Sequence, residues 1–429
     1  MGGSVQSESP VINTQQPKFA SYLPDELLLE ILGYFPKGIE SQKPLAKFCR
    51  ISRQWYDVGI IRLYEAPFVV GSKFEPFHNT ICPSKSPFGK KSDLASLVKV
   101  LDLSHLVHQA TKAQTARLLS RTQQSLQKFV APQASFAVNC WASLSKCRKL
   151  RILDLSLVSE QIDHQALNHT IAQLPLLSEL YLPRCSGRYD IDKGPFLNMK
   201  WPPQLQHLQL SGNVYGHVAD MIHQPQTVPH TMTSLSICYC PKLTSNEIRK
   251  LLRSLAPLVT KVRLHDLPEV SQGALNGVLQ WMPQLTDLTI AVDYIDVSFG
   301  HMPEDFSPQN WRSALPLESL TLVTSGLRSV DPHRAFVAID LFTLIDERYL
   351  GRLRFVRIAA STGWASKDDA AETEALEMML MELDQENWEK RRWHYERFKD
   401  EYKGVAWKEW IFGKVGWGMR ARLRIMREC

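Results

Sequence analysis

From residue 98 onward one spacing of apolar positions recurs: apolar, two residues, apolar, one residue, apolar. It reads Val98/Leu101/Leu103, Leu150/Leu153/Leu155, Leu177/Leu180/Leu182, Leu205/Leu208/Leu210 and Met232/Leu235/Ile237. It continues as Val259/Val262/Leu264, Leu285/Leu288/Ile290, Leu317/Leu320/Leu322 and Leu353/Val356/Ile358. From Leu153 onward the middle residues step by 27, 28, 27, 27, 26, 32 and 36. The first gap, from Leu101 to Leu153, is 52, and Leu126/Phe129/Ala131 divides it into 28 and 24 as a weaker tenth unit. In a short strand alternate side chains share a face. The last two apolar positions of each unit therefore point inward together, and their neighbours point out. Between the triplets lie stretches of helical period: Ala166, Ile171 and Leu174; Ile248, Leu251, Leu252 and Leu255; Leu275, Val278, Leu279 and Met282. Each lays an apolar stripe over the strands. Pro175, Pro257 and Pro283 stand where such helices would stop.

A strand plus a helix cannot bury its apolar face alone, but stacked copies can. The period is that of leucine-rich repeats. The residue three after the last apolar position is Cys185, Asn213 or Cys240 in three units and Asp293, Ser325 or Ser361 in others. There it turns the chain and satisfies backbone groups from inside. The run LSICYCPKLTSNEIRKLL resembles the cysteine-containing subclass of these repeats. Cys185 and Cys240 are therefore expected to be turn residues rather than metal ligands or nucleophiles.

Ahead of the repeats the pattern is different. Pro24 and Asp25 open a helix, with Leu27, Leu28, Ile31, Leu32 and Phe35 at helical spacing. Pro36, Gly38 and Pro44 break it, and a second helix carries Leu45, Phe48, Ile51, Trp55 and Val58. Two bare helices are too small to be stable, so part of this apolar surface is expected to meet a partner. The order Leu23-Pro24-x-Glu26-Leu27, then Ile31-Leu32, then Arg50-Ile51-Ser52-Arg53-x-Trp55 resembles the F-box, over about a tenth of the chain. The loop from Pro36 to Pro44 is longer than that pattern, and Ile51 stands where valine is commoner. The resemblance implies three packed helices docking on the adaptor subunit of an SCF-type, cullin-based ubiquitin ligase. Leu23, Pro24, Leu27, Leu28, Ile31 and Leu32 are the implied contacts, and Trp55 is implied to hold the module together. A plain helical cap on the solenoid is the competing reading. Some F-box proteins act outside ubiquitin ligases. The whole layout, with DLASLVKVLDLS opening the repeats, resembles the F-box leucine-rich-repeat proteins of fungi.

The expected architecture is thus α/β: a polar, disordered tail (1–19), an F-box-like helical module (20–65), an irregular docked connector (66–97), a curved leucine-rich-repeat solenoid (98–365) and a helical C-terminal cap with a basic, aromatic tail (366–429). Composition agrees. Hydrophobic residues make up 44% and charged residues 22% of 429, an ordinary globular balance. The net charge of +6 is too small and dispersed to imply nucleic acid. There is no apolar run long enough to span a membrane and no apolar secretory segment at the start. Eight scattered cysteines without a CxxC pair suit reduced thiols in cytosol or nucleus rather than a disulfide framework.

At the other end, Asp368 to Glu389 holds nine acids and no base, with Ala375, Leu376, Met379, Leu380 and Leu383 as an apolar stripe. Mixed charges follow, with Trp388, Tyr395, Phe398 and Tyr402 about a heptad and its parts apart. A helix covering the last repeat is expected. Beyond it stand Trp407, Trp410 and Trp417 and the bases Arg420, Arg422, Arg424 and Arg427. These either fold in or bind phosphate, acidic peptide or a membrane surface.

No Walker motif, HExxH, nucleophile elbow or kinase set occurs. Cys238 and Cys240 lack a second pair for zinc. His105 with His108, and His164 with His169, lack a third ligand and read as surface histidines. No cofactor, metal or catalytic activity is expected. Binding has a surface to go with it, because the outward strand positions line a concave wall. Asp102, Asp154 and Glu179 make its start acidic, while Lys261, Arg263, His265 and Arg357 make its later part basic. The candidate target contacts are Tyr181, His207, Gln209, Lys261, Arg263, His265, Asp287, Phe355 and Arg357. An acidic or phosphorylated segment of a target protein is expected near Lys261 and Arg263. Two readings stay open: a target receptor of a ubiquitin ligase, or a repeat scaffold whose helical module is only a cap.

Overall fold

The computed structural model describes residues 23–36, 38–83, 92–106, 110–184, 198–304, 306–307, 314–326, 330–364, 370–402, 404–412 and 422–426. Three helices open the chain: α1 (Asp25–Gly33), α2 (Gln42–Phe48) and α3 (Arg53–Glu65). The expected second helix is two, because the Ser52 hydroxyl accepts a hydrogen bond from the Trp55 amide and restarts the chain as α3. Leu28, Leu32, Leu45 and Phe48 form a small core of their own, closed by Trp55 at 4.5 Å ring to ring from Phe48. Gly59 lies against that core. A Cβ there would come within 2.7 Å of the Phe48 ring, so α2 and α3 pack this closely only without one. Gln54 of α3 donates to the Leu23 carbonyl at 2.6 Å and to Asp25 at 2.8 Å, tying α3 to the start of α1.

α3 also leads into the repeats. The Glu65 carbonyl accepts from the Lys99 amide at 2.9 Å, and their side chains pair at 2.9 Å. The connector is more ordered than its prolines suggest. It forms α4 (Phe74–Ile81), which buries Phe74, His78 and Ile81 against the solenoid core.

The repeats build one sheet of 11 parallel strands whose order in space is their order in sequence. They are β1 (Val100–Asp102), β2 (Lys128–Val130), β3 (Ile152–Asp154), β4 (Glu179–Tyr181), β5 (His207–Leu210) and β6 (Ser234–Cys238). Then come β7 (Lys261–His265), β8 (Asp287–Ala291), β9 (Ser319–Val323), β10 (Phe355–Ala359) and β11 (Arg422–Met426). The weak tenth unit is β2, so the 52-residue gap does hold a repeat. The middle apolar residues stack in register: Leu101, Phe129, Leu153, Leu180, Leu208, Leu235, Val262, Leu288, Leu320 and Val356, followed by Leu423. The first ten are buried. At about 1.5–3 kcal/mol for each large aliphatic side chain buried, this column and the Leu/Ile column beside it are the main favourable term of the solenoid.

Helices return the chain between strands: α5 (Lys112–Thr122), α6 (Val138–Leu144), α7 (His164–Ile171), α8 (Tyr215–His223), α9 (Ser245–Leu255), α10 (Val278–Trp281) and α11 (Ala338–Asp346). α9 shows the local logic. Thr244 and Glu247 form a reciprocal capping box, and Ile248, Leu251, Leu252 and Leu255 all face the strands. α10 is only four residues long, although Leu275, Val278, Leu279 and Met282 are all buried as expected.

The turn after the strands has its own period. Gly212, Tyr239 and Asp266 occupy equivalent places and all have positive φ (75°, 56° and 54°). Glycine is required at the first: a Cβ on Gly212 would stand 2.2 Å from the Arg184 carbonyl oxygen. One residue further, the Cys240 thiol lies inside and donates to the carbonyls of Leu210 (3.6 Å) and Cys238 (3.5 Å). Burial pushes that thiol's pKa up, so it stays a neutral thiol. The same level of the stack carries Asp293, which accepts from the Ser325 amide at 2.6 Å, and Ser361, 2.6 Å from the Thr324 hydroxyl. Cys185 lies outside the described residues.

The far end is closed by α12 (Ala370–Arg397), packed on α11 with Leu376, Leu380 and Leu383 in the solenoid core. Polar bonds fix it as well. Buried Arg354 pairs with Asp384 at 3.2 Å, and Asn387 donates to the Gly351 carbonyl at 2.8 Å. α13 (Trp407–Phe412) folds back so that Trp388, Tyr395, Trp407 and Trp410 cluster. Trp407 and Trp410 are therefore packed in, while Trp417, Arg420 and Arg427 lie outside the described residues. β11 corrects the expectation for the tail: residues 422–426 extend the sheet instead of lying beyond it.

Candidate functional site

Strand alternation sets the outward residues into two rows along the concave wall. One runs Ile152, Glu179, His207, Ser234, Lys261, Asp287, Ser319 and Phe355; the other runs Asp154, Tyr181, Gln209, Ser236, Arg263, Thr289, Thr321, Arg357 and Arg424. Neighbours within a row stand one strand apart, about 4.8 Å. From β4 to β10 the rows enclose an open basin of about 590 Å³. Tyr181, His207, Lys261, His265, Asp287 and Arg357 line it together with Arg263, while Gln209 and Phe355 share the rows but not the lining. Residues scattered over 177 positions of sequence thus meet on one surface.

The two ends of the basin differ in chemistry. At the β4 end the rings of Tyr181 and His207 lie 5.0 Å apart. Tyr181 donates to Glu179 at 2.9 Å. Burial first, then that hydrogen bond and the nearby carboxylates, push its pKa up. His207 sits 2.8 Å from the Ser234 hydroxyl, and burial holds its pKa below the usual histidine value. This end is an aromatic wall with the Glu179 carboxylate beside it. The middle floor is low and hydroxyl-bearing: Ser234, Ser236, Thr289, Ser319 and Thr321. At the β10 end Arg357 donates to the Ser319 hydroxyl at 2.9 Å and lies 6.0 Å from the Phe355 ring. Lys261 is 3.8 Å from Asp287, a loose exposed pair that contributes little. His265 contacts Asp266 at 2.7 Å. Arg263 is exposed and makes no hydrogen bond or ion pair with another described residue.

The acids of the early strands are engaged locally. Asp102 accepts from the amide and hydroxyl of Ser104 (3.0 and 2.6 Å), and Asp154 does the same with Ser156 (2.9 and 2.6 Å). The twice-written Asp-Leu-Ser was the signal for this turn. Arg424, expected in a basic tail beyond the cap, stands instead on β11 in register with Arg357. Its signal was the alternation Arg422-Leu423-Arg424-Ile425, which repeats the in-out rhythm of a strand.

On the N-terminal module the implied contacts divide. Leu27 is exposed at 45% and Pro24 is exposed; Leu23 and Ile31 are half-buried. Leu28 and Leu32 are the module's own core, at 0% and 2% exposure, so they hold α1 in place and are corrected as direct contacts. Leu29, Tyr34 and Ile61 are exposed apolar groups that the motif did not single out, and Ile51 of the motif is exposed as well. The expected surface histidine His164 instead packs its ring 5.1 Å from that of the buried His217. Among the described residues no group of three or more metal-ligating side chains occurs, and no helix is long and apolar enough to cross a membrane.

A helical module with its own core, joined to a parallel-strand solenoid with an open polar wall, defines a solenoid repeat protein with a separate N-terminal module. No protein-family model matches the chain. It is 30% identical over 320 residues to F-box protein YDR306C of Saccharomyces cerevisiae, covering 74% of this chain and 63% of that protein. It is 30% identical over 278 residues to Protein pof5 of Schizosaccharomyces pombe, covering 64% of this chain and 74% of that protein. The chain thus spans a little under two thirds of the first relative. Among solved structures it is similar to an internalin (inlF) of Listeria monocytogenes, with 11% identity, a TM-score of 0.31 and coverage of 70% of this chain and 84% of that one. A TLR13–ssRNA13 complex matches with 14% identity, a TM-score of 0.30 and coverage of 61% and 31%. The chain belongs to the family of F-box proteins with leucine-rich repeats.

Proposed function

We propose that the protein is a non-catalytic target receptor of an SCF-type ubiquitin ligase. The helical module (20–65) binds the adaptor subunit, and through it a cullin, by way of Leu23, Pro24, Leu27 and Ile31. The solenoid captures a target protein on its concave wall, with a negatively charged segment over Lys261 and Arg263. One observation carries the reading: α1 and its neighbours expose Leu27, Leu29, Tyr34, Ile51 and Ile61 outside a core that is already closed. Apolar groups clustered on so small a module mark a protein contact. The basin supports the second half, since its lining is polar, open and basic toward β10.

Co-purification of the full chain with the adaptor tests this. The pair Leu23→Ala and Pro24→Ala, and separately Leu27→Asp, should abolish co-purification while leaving the solenoid folded. Wild-type protein that fails to bring down the adaptor would reject the ligase role and leave the scaffold reading. Lys261→Glu with Arg263→Glu should spare the adaptor and lose the target.

A further inference from the structure

The second concave row contains a spacing. Arg263, Thr289, Thr321, Arg357 and Arg424 are register partners in five successive strands, β7 to β11. Three strand steps separate Arg263 from Arg357, and a fourth reaches Arg424. At about 4.8 Å per step these are roughly 14 and 19 Å. An extended chain advances about 3.3 Å per residue, so four residues cover about 13 Å and six about 20 Å. Four and six are both even, so side chains at i, i+4 and i+6 leave an extended segment on the same side.

We infer that this row reads an extended acidic segment of the target, lying across the strands, with carboxylates at i, i+4 and i+6 over Arg263, Arg357 and Arg424. β11 is then part of the recognition wall. The inference rests on the reading of the concave face as the target site and assigns its ligand chemistry. Three observations support it. None of the three arginines is ion-paired with another described residue, although Arg263 and Arg424 are exposed and Arg357 reaches only a serine hydroxyl. The two positions between Arg263 and Arg357 are threonines, short enough to let a backbone lie close and able to hydrogen-bond to it. Leu423 packs against the core, which turns Arg424, the next residue of the strand, to the concave side. Carboxylate is chosen over phosphate on charge, because each ligand position of the row supplies one guanidinium to one monoanion. A planar guanidinium matches the two oxygens of one carboxylate. A dianion at Arg263 would draw on several cations at once, and Lys261 beside it already faces Asp287.

The test is binding of the full-length chain to an array of synthetic peptides. Each carries three glutamates in a Ser/Ala background, at every spacing and constant net charge. Binding should peak at i, i+4, i+6. Arg424→Glu should weaken that peptide about tenfold or more, a typical effect of reversing an interface charge. It should leave a peptide with glutamates only at i and i+4 near its wild-type affinity. A flat profile across spacings, or an unchanged profile in Arg424→Glu, overturns the inference. If the profile is flat but Arg263→Glu weakens all acidic peptides, the target-site reading survives and the spacing falls. If neither variant changes any peptide, both fall. Phosphoserine at i+4 binding tenfold or more tighter than glutamate overturns the choice of carboxylate. Adaptor co-purification checks that each variant is folded.

Discussion

His217 should make one repeat sensitive to acid. It sits on α8 at 2% exposure, its ring 5.1 Å from that of His164 and 6.1 Å from that of Trp201. Neither of its ring nitrogens has a hydrogen-bond partner among the described residues. The cavity beside it, about 10 Å³, is at the limit for a single water. Burial, reinforced by the neighbouring His164, pulls its pKa down to about 3, against 6.5 for the free side chain. The folded-state value is depressed, so the neutral form belongs to the folded state. The unfolded chain takes up the proton first as pH falls through about 6.5. Stability from this site is therefore complete above that pH and declines as pH drops toward 3. Between pH 7 and 5 the loss is about 2 kcal/mol. Repeat arrays open locally, so hydrogen exchange of α8 amides, corrected for intrinsic rate, is the suitable readout. Protection of α8 in the wild type should fall by a factor of about 30 between pH 7 and 5, the equivalent of that free energy. In His217→Leu, which cannot take up a proton, most of this pH dependence should vanish. Equal pH dependence in the two proteins would show that His217 is hydrated or partnered in solution, and the argument from its burial would fail.

Two further substitutions probe the scaffold. Gly212→Ala places a Cβ 2.2 Å from a backbone oxygen at φ +75°, and should lower thermal stability by about 2 kcal/mol or more, read by calorimetry; an unchanged melting temperature would mean that the turn after β5 relaxes freely. Arg354→Met removes a buried ion-pair partner of Asp384 from the α12 contact and should cost about 3–5 kcal/mol, whereas Arg354→Met with Asp384→Leu should recover part of it; additive losses in urea denaturation would show that the pair is not coupled.

The inward half of this molecule was legible because it is repetitive. A leucine at each of Leu153, Leu180 and Leu208 is a weak signal alone, but their constant spacing fixes the strand, its facing and its neighbours. Since strand order equals repeat order, the rows of the concave wall followed directly. That is why the spacing alone places Tyr181, His207, Lys261 and Arg357 on one wall, where all four line the basin. What failed to show lacked the period. β11 follows a long helix and a short one, far outside the 27-residue step, so only its local alternation marked it. The polar pairs Arg354–Asp384 and Asp102–Ser104 depend on side-chain geometry that spacing does not encode. His164 was misplaced for the same reason: its partner His217 is 53 residues away, on the next helix of the stack. On the N-terminal module, the motif marks positions but not their exposure, so it does not separate the exposed Leu27 from Leu28 and Leu32, which form the core.

The same separation explains how one wall carries opposite charges at its two ends. Folding constrains the inward column to leucine-like residues and leaves the outward rows free in sign. Asp102 and Asp154, bonded to Ser104 and Ser156, place carboxylates on the wall at the early strands. On the proposed reading, an acidic segment would be repelled there and attracted toward Arg263, Arg357 and Arg424, so charge would set its place along the wall before any close contact forms. Of the aromatic pair, Tyr181 lies three strands before Arg263, about 14 Å away, and His207 two strands before it. A segment seated on the arginines would reach that pair about four residues from its first carboxylate, so an apolar or aromatic residue at that distance is the expected second determinant. Tyr181→Ala should then weaken only targets that carry such a residue, and equal weakening of all acidic peptides would show that Tyr181 acts through the shape of the basin instead.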